Sequence, residues 1–221
     1  KEIENKIKNA KIDIEFAINK KGVVNIFQIR PISTTRNWKK FEKKQFFKNL
    51  IKNQKNFIKI NSINKKFGKY SIFGLMPDWN PVEMIGYQPN NLAYSLYHEL
   101  ITKDSWFKAR KKIGYKTVDR SLMCKFTGKP FIDARLSFYS YLPNSVKNKV
   151  AKKIVNHWSY ELIKKPYLHD KIEFDISDGS YDAFTNSKVL KKYNFLDYKE
   201  KNEYLRNLQY FTNQKILNFN N

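Results

Sequence analysis

Near the start of the chain, two short runs alternate apolar and polar residues. Ile12, Ile14, Phe16 and Ile18 fall on one side of an extended segment, with Asp13 and Glu15 on the other. A second run follows at 23–30 and ends at Pro31. The two flank Asn19-Lys20-Lys21-Gly22, so the pattern predicts a β-hairpin over 12–30 that Pro31 terminates. Residues 1–10 read as the last turns of a helix. Residues 36–69 show helical spacing around Phe46, Phe47, Leu50 and Ile51 and read as a connection between domains.

The texture changes near Ile72. Asn80-Pro81-Val82-Glu83 has the form of a helix start, with Asn80 as cap, Pro81 in the first turn and Glu83 where a capping-box acid sits. Leu92, Leu96 and Leu100 predict a helix over 92–101 with those leucines on one face. A further helix over 104–113 should stop at Gly114. Residues 115–127 and 130–141 alternate like strands. The second would place Phe131, Asp133, Arg135, Ser137 and Tyr139 on one face. Val146, Val150, Ile154, Trp158 and Leu162 recur every four residues, which predicts an amphipathic helix over 145–164 before Pro166. Residues 168–176 read as a strand, and 187–217 as helical. No internal repeat is visible, and the pattern is mixed α and β. Trp79, Trp106 and Trp158 are expected in the core.

Composition narrows the class. The chain has 221 residues, 41% of them hydrophobic and 16% aromatic, enough for a folded core and unlike a disordered segment. No run approaches the roughly 18 consecutive apolar residues of a membrane helix. The start lacks the apolar stretch of a signal peptide, and a lone cysteine, Cys124, excludes an internal disulfide framework. These features point to a cytoplasmic protein without a membrane partner. The formal net charge is +23, which raises the alternative of a basic module that binds nucleic acid or an acidic surface without catalysis. Only six of the 43 basic residues are Arg, and the lysines run from Lys1 to Lys215. A base-reading or strand-stacking surface concentrates Arg and aromatics instead. Abundant Lys and Asn together read as compositional bias.

The hairpin carries the densest chemistry. If its strands pair, Asp13 and Glu15 meet Gln28 and Arg30 on one face. Carboxylates suit Mg²⁺, a hard cation that bridges to substrate phosphates. Arg30 offers a permanently charged fork for phosphate oxygens, and Gln28 a neutral donor. The same alternation also suits a solvated hairpin face whose acids pair with nearby lysines.

This stretch, "DIEFAI…GVVNIFQIRPI", resembles the closing hairpin of the ATP-grasp domain in the phosphoenolpyruvate synthase and pyruvate phosphate dikinase family. That pattern reads D-[IM]-E-[WF], a Gly-containing turn, then L-Q-x-R-P. Asp13, Glu15, Gln28, Arg30 and Pro31 fall on the matching positions, and Phe16 stands where Trp is frequent. The resemblance implies ATP and Mg²⁺ as cofactors, Glu15 with Asp13 at the metal, and Gln28 and Arg30 at the distal phosphates. It also implies a nucleotide-binding lysine and a glycine-rich loop upstream. Since the chain opens without Met on a polar helical segment, it reads as an internal fragment, inactive alone.

A second block, "DWNPVEMIGYQPNNLAYSLYHELIT", with "GKPFIDARLSFYSYLP" and "LHDKIEFDI", resembles the branch of that family containing the L-glutamine kinases of capsule phosphoramidate synthesis. The implied fold is α+β: the terminal β-hairpin of an ATP-grasp domain (1–35), a connecting segment (36–70) and part of a mixed α/β substrate-binding domain (71–221). The implied reaction passes a phosphoryl group from ATP through a phosphohistidine to a small acceptor, L-glutamine or pyruvate, leaving AMP and phosphate. Partners would be the ATP-grasp and phosphohistidine domains of the same chain. None of His98, His157 and His169 sits in the family's small-residue loop, so the carrier is expected outside these residues. Candidate acceptor-binding residues are Asn80, Glu83, Asp133, Arg135 and Ser137, with Asp78 beside them. Arg30 and Arg135 are the candidate catalytic pair. Asn80 and Glu83 equally suit a simple helix cap, and Arg135 an ion pair with Asp133.

Overall fold

The alternating runs at the start do pair. In the computed structural model, which describes residues 2–8, 11–32, 42–75, 80–169, 171–172 and 180–219, β1 (Ile12–Ile18) lies antiparallel to β2 (Val24–Pro31). The Asn19 side chain closes the turn by accepting from the Lys21 and Val23 amides at 2.9 and 3.0 Å. Gly22 supplies the positive φ of 78° that the turn requires. A short helix, α1 (Glu2–Ile7), precedes the hairpin. Residues 1–43 form one compact unit and 44–221 a second.

The larger unit begins with α2 (Lys43–Asn64), which arises from the segment expected to connect domains. A three-stranded antiparallel sheet of order β3-β5-β4 follows, from β3 (Phe73–Gly74), β4 (Met123–Phe126) and β5 (Lys129–Asp133). The β4–β5 turn is Thr127-Gly128, both with positive φ (50° and 86°), as a tight two-residue hairpin demands. Between β3 and β4 come α3 (Pro81–Ile85), α4 (Asn91–Leu96), a π-helical stretch (Tyr97–Ser105) and α5 (Trp106–Ile113). Gly114 ends α5 in the left-handed conformation at φ 90°. After β5 the chain enters α6 (Ala134–Tyr139), α7 (Asn148–Lys164), a 3₁₀ turn (Pro166–Leu168), α8 (Thr185–Lys192) and α9 (Tyr198–Phe219). The fold is mixed α+β, predominantly helical.

The core of this unit is built on α6 and α7. Val150, Ile154, Trp158 and Leu162 of α7 are each at most 3% exposed, as their spacing predicted, and pack with Phe138, Tyr193 and Tyr204. Burying each such side chain contributes on the order of 1.5–3 kcal/mol. Trp106 and Trp158 are core residues, whereas Trp79 and Asp78 lie outside the described residues.

Three expectations need correction. The strand expected over 130–141 ends at Asp133. Its carboxylate accepts the Arg135 amide at 3.1 Å and caps α6, so Arg135 and Ser137 are helical and share no strand face with Asp133. The strand expected over 115–127 shortens to Met123–Phe126, with Tyr115 making only an isolated bridge to Pro143. The helix expected over 92–101 widens into the π stretch, and its leucine row faces outward, Leu92, Leu96 and Leu100 being 68, 49 and 56% exposed. Of the 168–176 strand, Leu168 closes a 3₁₀ turn, and residues 173–176 lie outside the described residues.

Candidate functional site

Two groups of chemistry-bearing residues stand out, one in each unit. On the hairpin, the register sets Asp13 opposite Arg30 and Glu15 opposite Gln28. Arg30 Nε donates to Asp13 Oδ2 at 2.7 Å, and Arg30 Nη2 lies 3.7 Å from Glu15 Oε1. The four residues that the sequence singled out therefore share one face. The side chains of Asp13, Glu15 and Arg30 are 47, 55 and 57% exposed, so a ligand can reach them. The hydrogen bond and charge of Asp13 raise the Arg30 guanidinium above its ordinary value, with Glu15 adding to the effect.

Sequence reasoning missed the irregularity beside this cluster. The register shifts between Glu15 and Phe16, where Gln28 and then Ile26 are the partners, so Phe27 is an extra residue on β2. Such bulges twist a strand and re-aim the side chains next to them. This one confines the acidic cluster to the open end of the hairpin. Among the described residues, no group of three or more His, Cys, Asp or Glu side chains is gathered as a complete metal cage. Two adjacent carboxylates nevertheless fit Mg²⁺, which takes one or two protein carboxylates and completes its shell with water and phosphate.

In the larger unit, Asp133 and Arg135 form an ion pair with side chains only 1 and 0% exposed. Arg135 donates from Nε to Oδ1 at 3.0 Å and from Nη2 to Oδ2 at 2.7 Å, the bidentate fork. Its Nη1 reaches Asn61 Oδ1 at 2.8 Å, and Asn64 Nδ2 donates to Asp133 Oδ2 at 2.9 Å. Both asparagines come from α2. An acceptor carboxylate could take the Arg135 fork only by displacing Asp133. Ser137 is also buried. Asn80 caps α3 by accepting the Glu83 amide at 3.3 Å, and Glu83 stands in the first turn.

One side of this pair borders a cleft of about 530 Å³. Ile60 and Ile63 of α2, Leu122, Met123 and Leu136 give it apolar walls. Arg120 enters it half-shielded, with its side chain 28% exposed. Asp119 Oδ1 accepts from Arg120 Nε and Nη2 at 3.1 and 3.0 Å, and Asn64 Oδ1 from Nη1 at 3.4 Å. A chain of contacts thus runs from the buried pair through Asn64 to Arg120. The π stretch also shapes this cleft. Its widened turn turns the Thr102 carbonyl toward the Leu122 amide (3.2 Å), and Thr102 Oγ1 meets Ser121 Oγ at 2.7 Å. Burial pushes the Cys124 thiol well up, with Asp133 adding and Arg135 opposing. Burial likewise raises the Tyr94 phenol, helped by Cys124 and Glu99. Neither Arg120 nor Tyr94 stands out in the sequence. Their convergence depends on tertiary packing that no local pattern encodes.

His98 and His157 make local contacts. His98 Nδ1 meets Glu99 Oε1 at 2.8 Å, and its ring stacks on Tyr94. His157 stacks on Phe195 with centroids 4.4 Å apart. No helix among the described residues is long and apolar enough to cross a membrane. No protein-family model matches this chain, and neither a curated protein nor a solved structure does.

Proposed function

We propose that the chain is part of an ATP-dependent phosphotransferase of the phosphoenolpyruvate synthase type, which passes a phosphoryl group through a histidine to a small acceptor such as L-glutamine or pyruvate. The observation that carries this proposal is the hairpin register. Asp13 faces Arg30, Glu15 faces Gln28, and Arg30 touches both acids on one accessible face. Asp13 holds Arg30 through Nε, which leaves the Nη1 and Nη2 N–H groups to donate to phosphate oxygens. Gln28 adds a neutral donor at the neighbouring pair. Glu15 and Asp13 would hold Mg²⁺, whose charge offsets that of the triphosphate. The arrangement orients the phosphates and stabilises charge as the phosphoryl group leaves, which is most of what such a transfer needs from a protein.

The test uses the full-length protein that contains this chain. Incubated with Mg²⁺-ATP and a panel of L-glutamine, pyruvate and other small acids, it should yield AMP and phosphate with one acceptor, followed by ³¹P NMR. Glu15→Ala and Arg30→Ala should abolish that conversion. If no acceptor consumes ATP and no phosphohistidine forms, the assignment fails.

A further inference from the structure

We infer that the cleft around Arg120 is a binding site for a small organic carboxylate, a site separate from the hairpin chemistry and independent of it. Four observations converge. The first is charge. Arg120, Lys103 and Lys125 line the cleft against Asp119 and Asp133; Arg135 already neutralises Asp133 and Glu99 pairs with Lys103, which leaves Arg120 and Lys125 against Asp119. The walls therefore carry an excess of positive charge and favour an anion.

The second is geometry. Asp119 engages one edge of the Arg120 guanidinium through Nε and Nη2, and Asn64 takes Nη1. A guanidinium has five N–H donors, and the terminal nitrogens carry two each. Each terminal nitrogen thus keeps an N–H beyond these contacts, and two such donors suit the two oxygens of a carboxylate. Asn64 is itself held by the buried Asp133, so the Arg120 guanidinium is tied to the buried ion pair.

The third is the lining. Ile60, Ile63, Leu122 and Leu136 offer apolar contact beyond the fork, which suits an aliphatic tail and not a bare phosphate. The fourth is the π-helical stretch. It contributes His98 and Lys103 to the cleft, and such widened turns are frequent at functional sites.

The test titrates the 221-residue chain with 4-methylpentanoate, followed by amide NMR shifts. Saturable shifts should cluster at residues 119–125 and 60–64. The neutral isostere 4-methylpentanamide should bind at least tenfold more weakly. So should Arg120→Lys, which keeps the charge but loses the fork, and its unchanged spectrum elsewhere would show an intact fold. Inorganic phosphate should not displace the carboxylate at equal concentration. The inference is overturned if the amide binds as well as the acid, if Arg120→Lys binds as well as the parent chain, if phosphate binds more tightly at the same residues, or if no saturable shift appears there. None of these outcomes depends on nucleotide binding at the hairpin.

Discussion

Replacing Asp133 by Asn probes the buried ion pair most directly. Asn is nearly isosteric and can still cap α6 by accepting the Arg135 amide through its side-chain oxygen. What it removes is the charge that compensates Arg135, whose side chain is 0% exposed. Losing one partner of such a pair costs about 3–5 kcal/mol, because the remaining ion stays desolvated. The new amide would also present N–H groups to Asn64 Nδ2, a donor in the native contact. Asn64 would have to rotate and give up its contact to Arg120. For a unit of this size, each kcal/mol lowers the melting temperature by about 2–4 °C, so a fall of roughly 6–20 °C is expected. Chemical denaturation with unchanged slope, together with thermal melts, measures it. Arg135→Met alone should cost a similar amount. The double variant should recover at least half of the summed loss, since the uncompensated charge is gone. A change under about 1 kcal/mol for Asp133→Asn, or two losses that simply add, would refute the account of a coupled, desolvated pair.

Other outcomes follow from single contacts. Gly68→Ala would bring a new Cβ to 3.0 Å from Val155 Cγ1 and 3.4 Å from Arg135 Cγ, so a loss of about 1–3 kcal/mol is expected from denaturation midpoints. Gly114→Ala forces a side chain into φ 90° and to 3.2 Å from Phe211, and should cost about 1 kcal/mol or more in the same assay. Burial lowers the proton affinity of His157, with Lys192 and Lys164 adding and Glu161 opposing. Its folded pKa thus lies below the unfolded value, so its contribution is full above about pH 6.5 and is lost as pH falls through the folded pKa. Melting temperature should decline between pH 7 and 5, and His157→Phe, which keeps the stack on Phe195, should flatten that decline. Cys124, its thiol pushed up by burial, should react with iodoacetamide at pH 8 at least tenfold more slowly than free cysteine, and at the ordinary rate in urea.

Legibility in the sequence followed the range of the forces involved. The β1–β2 hairpin was legible because its period-two alternation and its Asn-Lys-Lys-Gly turn are local signals that agree. The same holds for α7, whose apolar positions recur on one face, and for the Asn80 and Gly114 ends of α3 and α5. The strand expected over 130–141 failed at Asp133 because alternation continued while a cap intervened. A carboxylate that accepts the amide two residues on outweighs a weak strand pattern. Leu92, Leu96 and Leu100 were spaced like a core face, yet they are exposed, because spacing shows only that residues share a helix face and not which face packs on the core. Arg120 was not legible as a site residue. Its partners, Asn64 and Asp119, lie at very different separations, and only packing of α2 brings Asn64 there.

Two of the arginine–aspartate pairs among the described residues show why residue type alone does not assign a role. Arg30 with Asp13 and Arg135 with Asp133 have the same groups at the same 2.7 Å contact distance. Solvent separates them. At Arg135 both ions are desolvated, and Asn61 and Asn64 complete their hydrogen bonding. Any ligand must first break a network whose loss costs several kcal/mol. At Arg30 water already competes for both partners, and a bound phosphate or metal ion can replace one contact with another at little cost. Exposed, the pair is a ready exchanger of partners; buried, it is a fixed part of the fold. The same criterion favours Arg120, which lies between these extremes. It is anchored by Asp119 on its Nε/Nη2 edge and by Asn64 at Nη1, and still reachable at 28% exposure, so it can hold a carboxylate without first losing its own place.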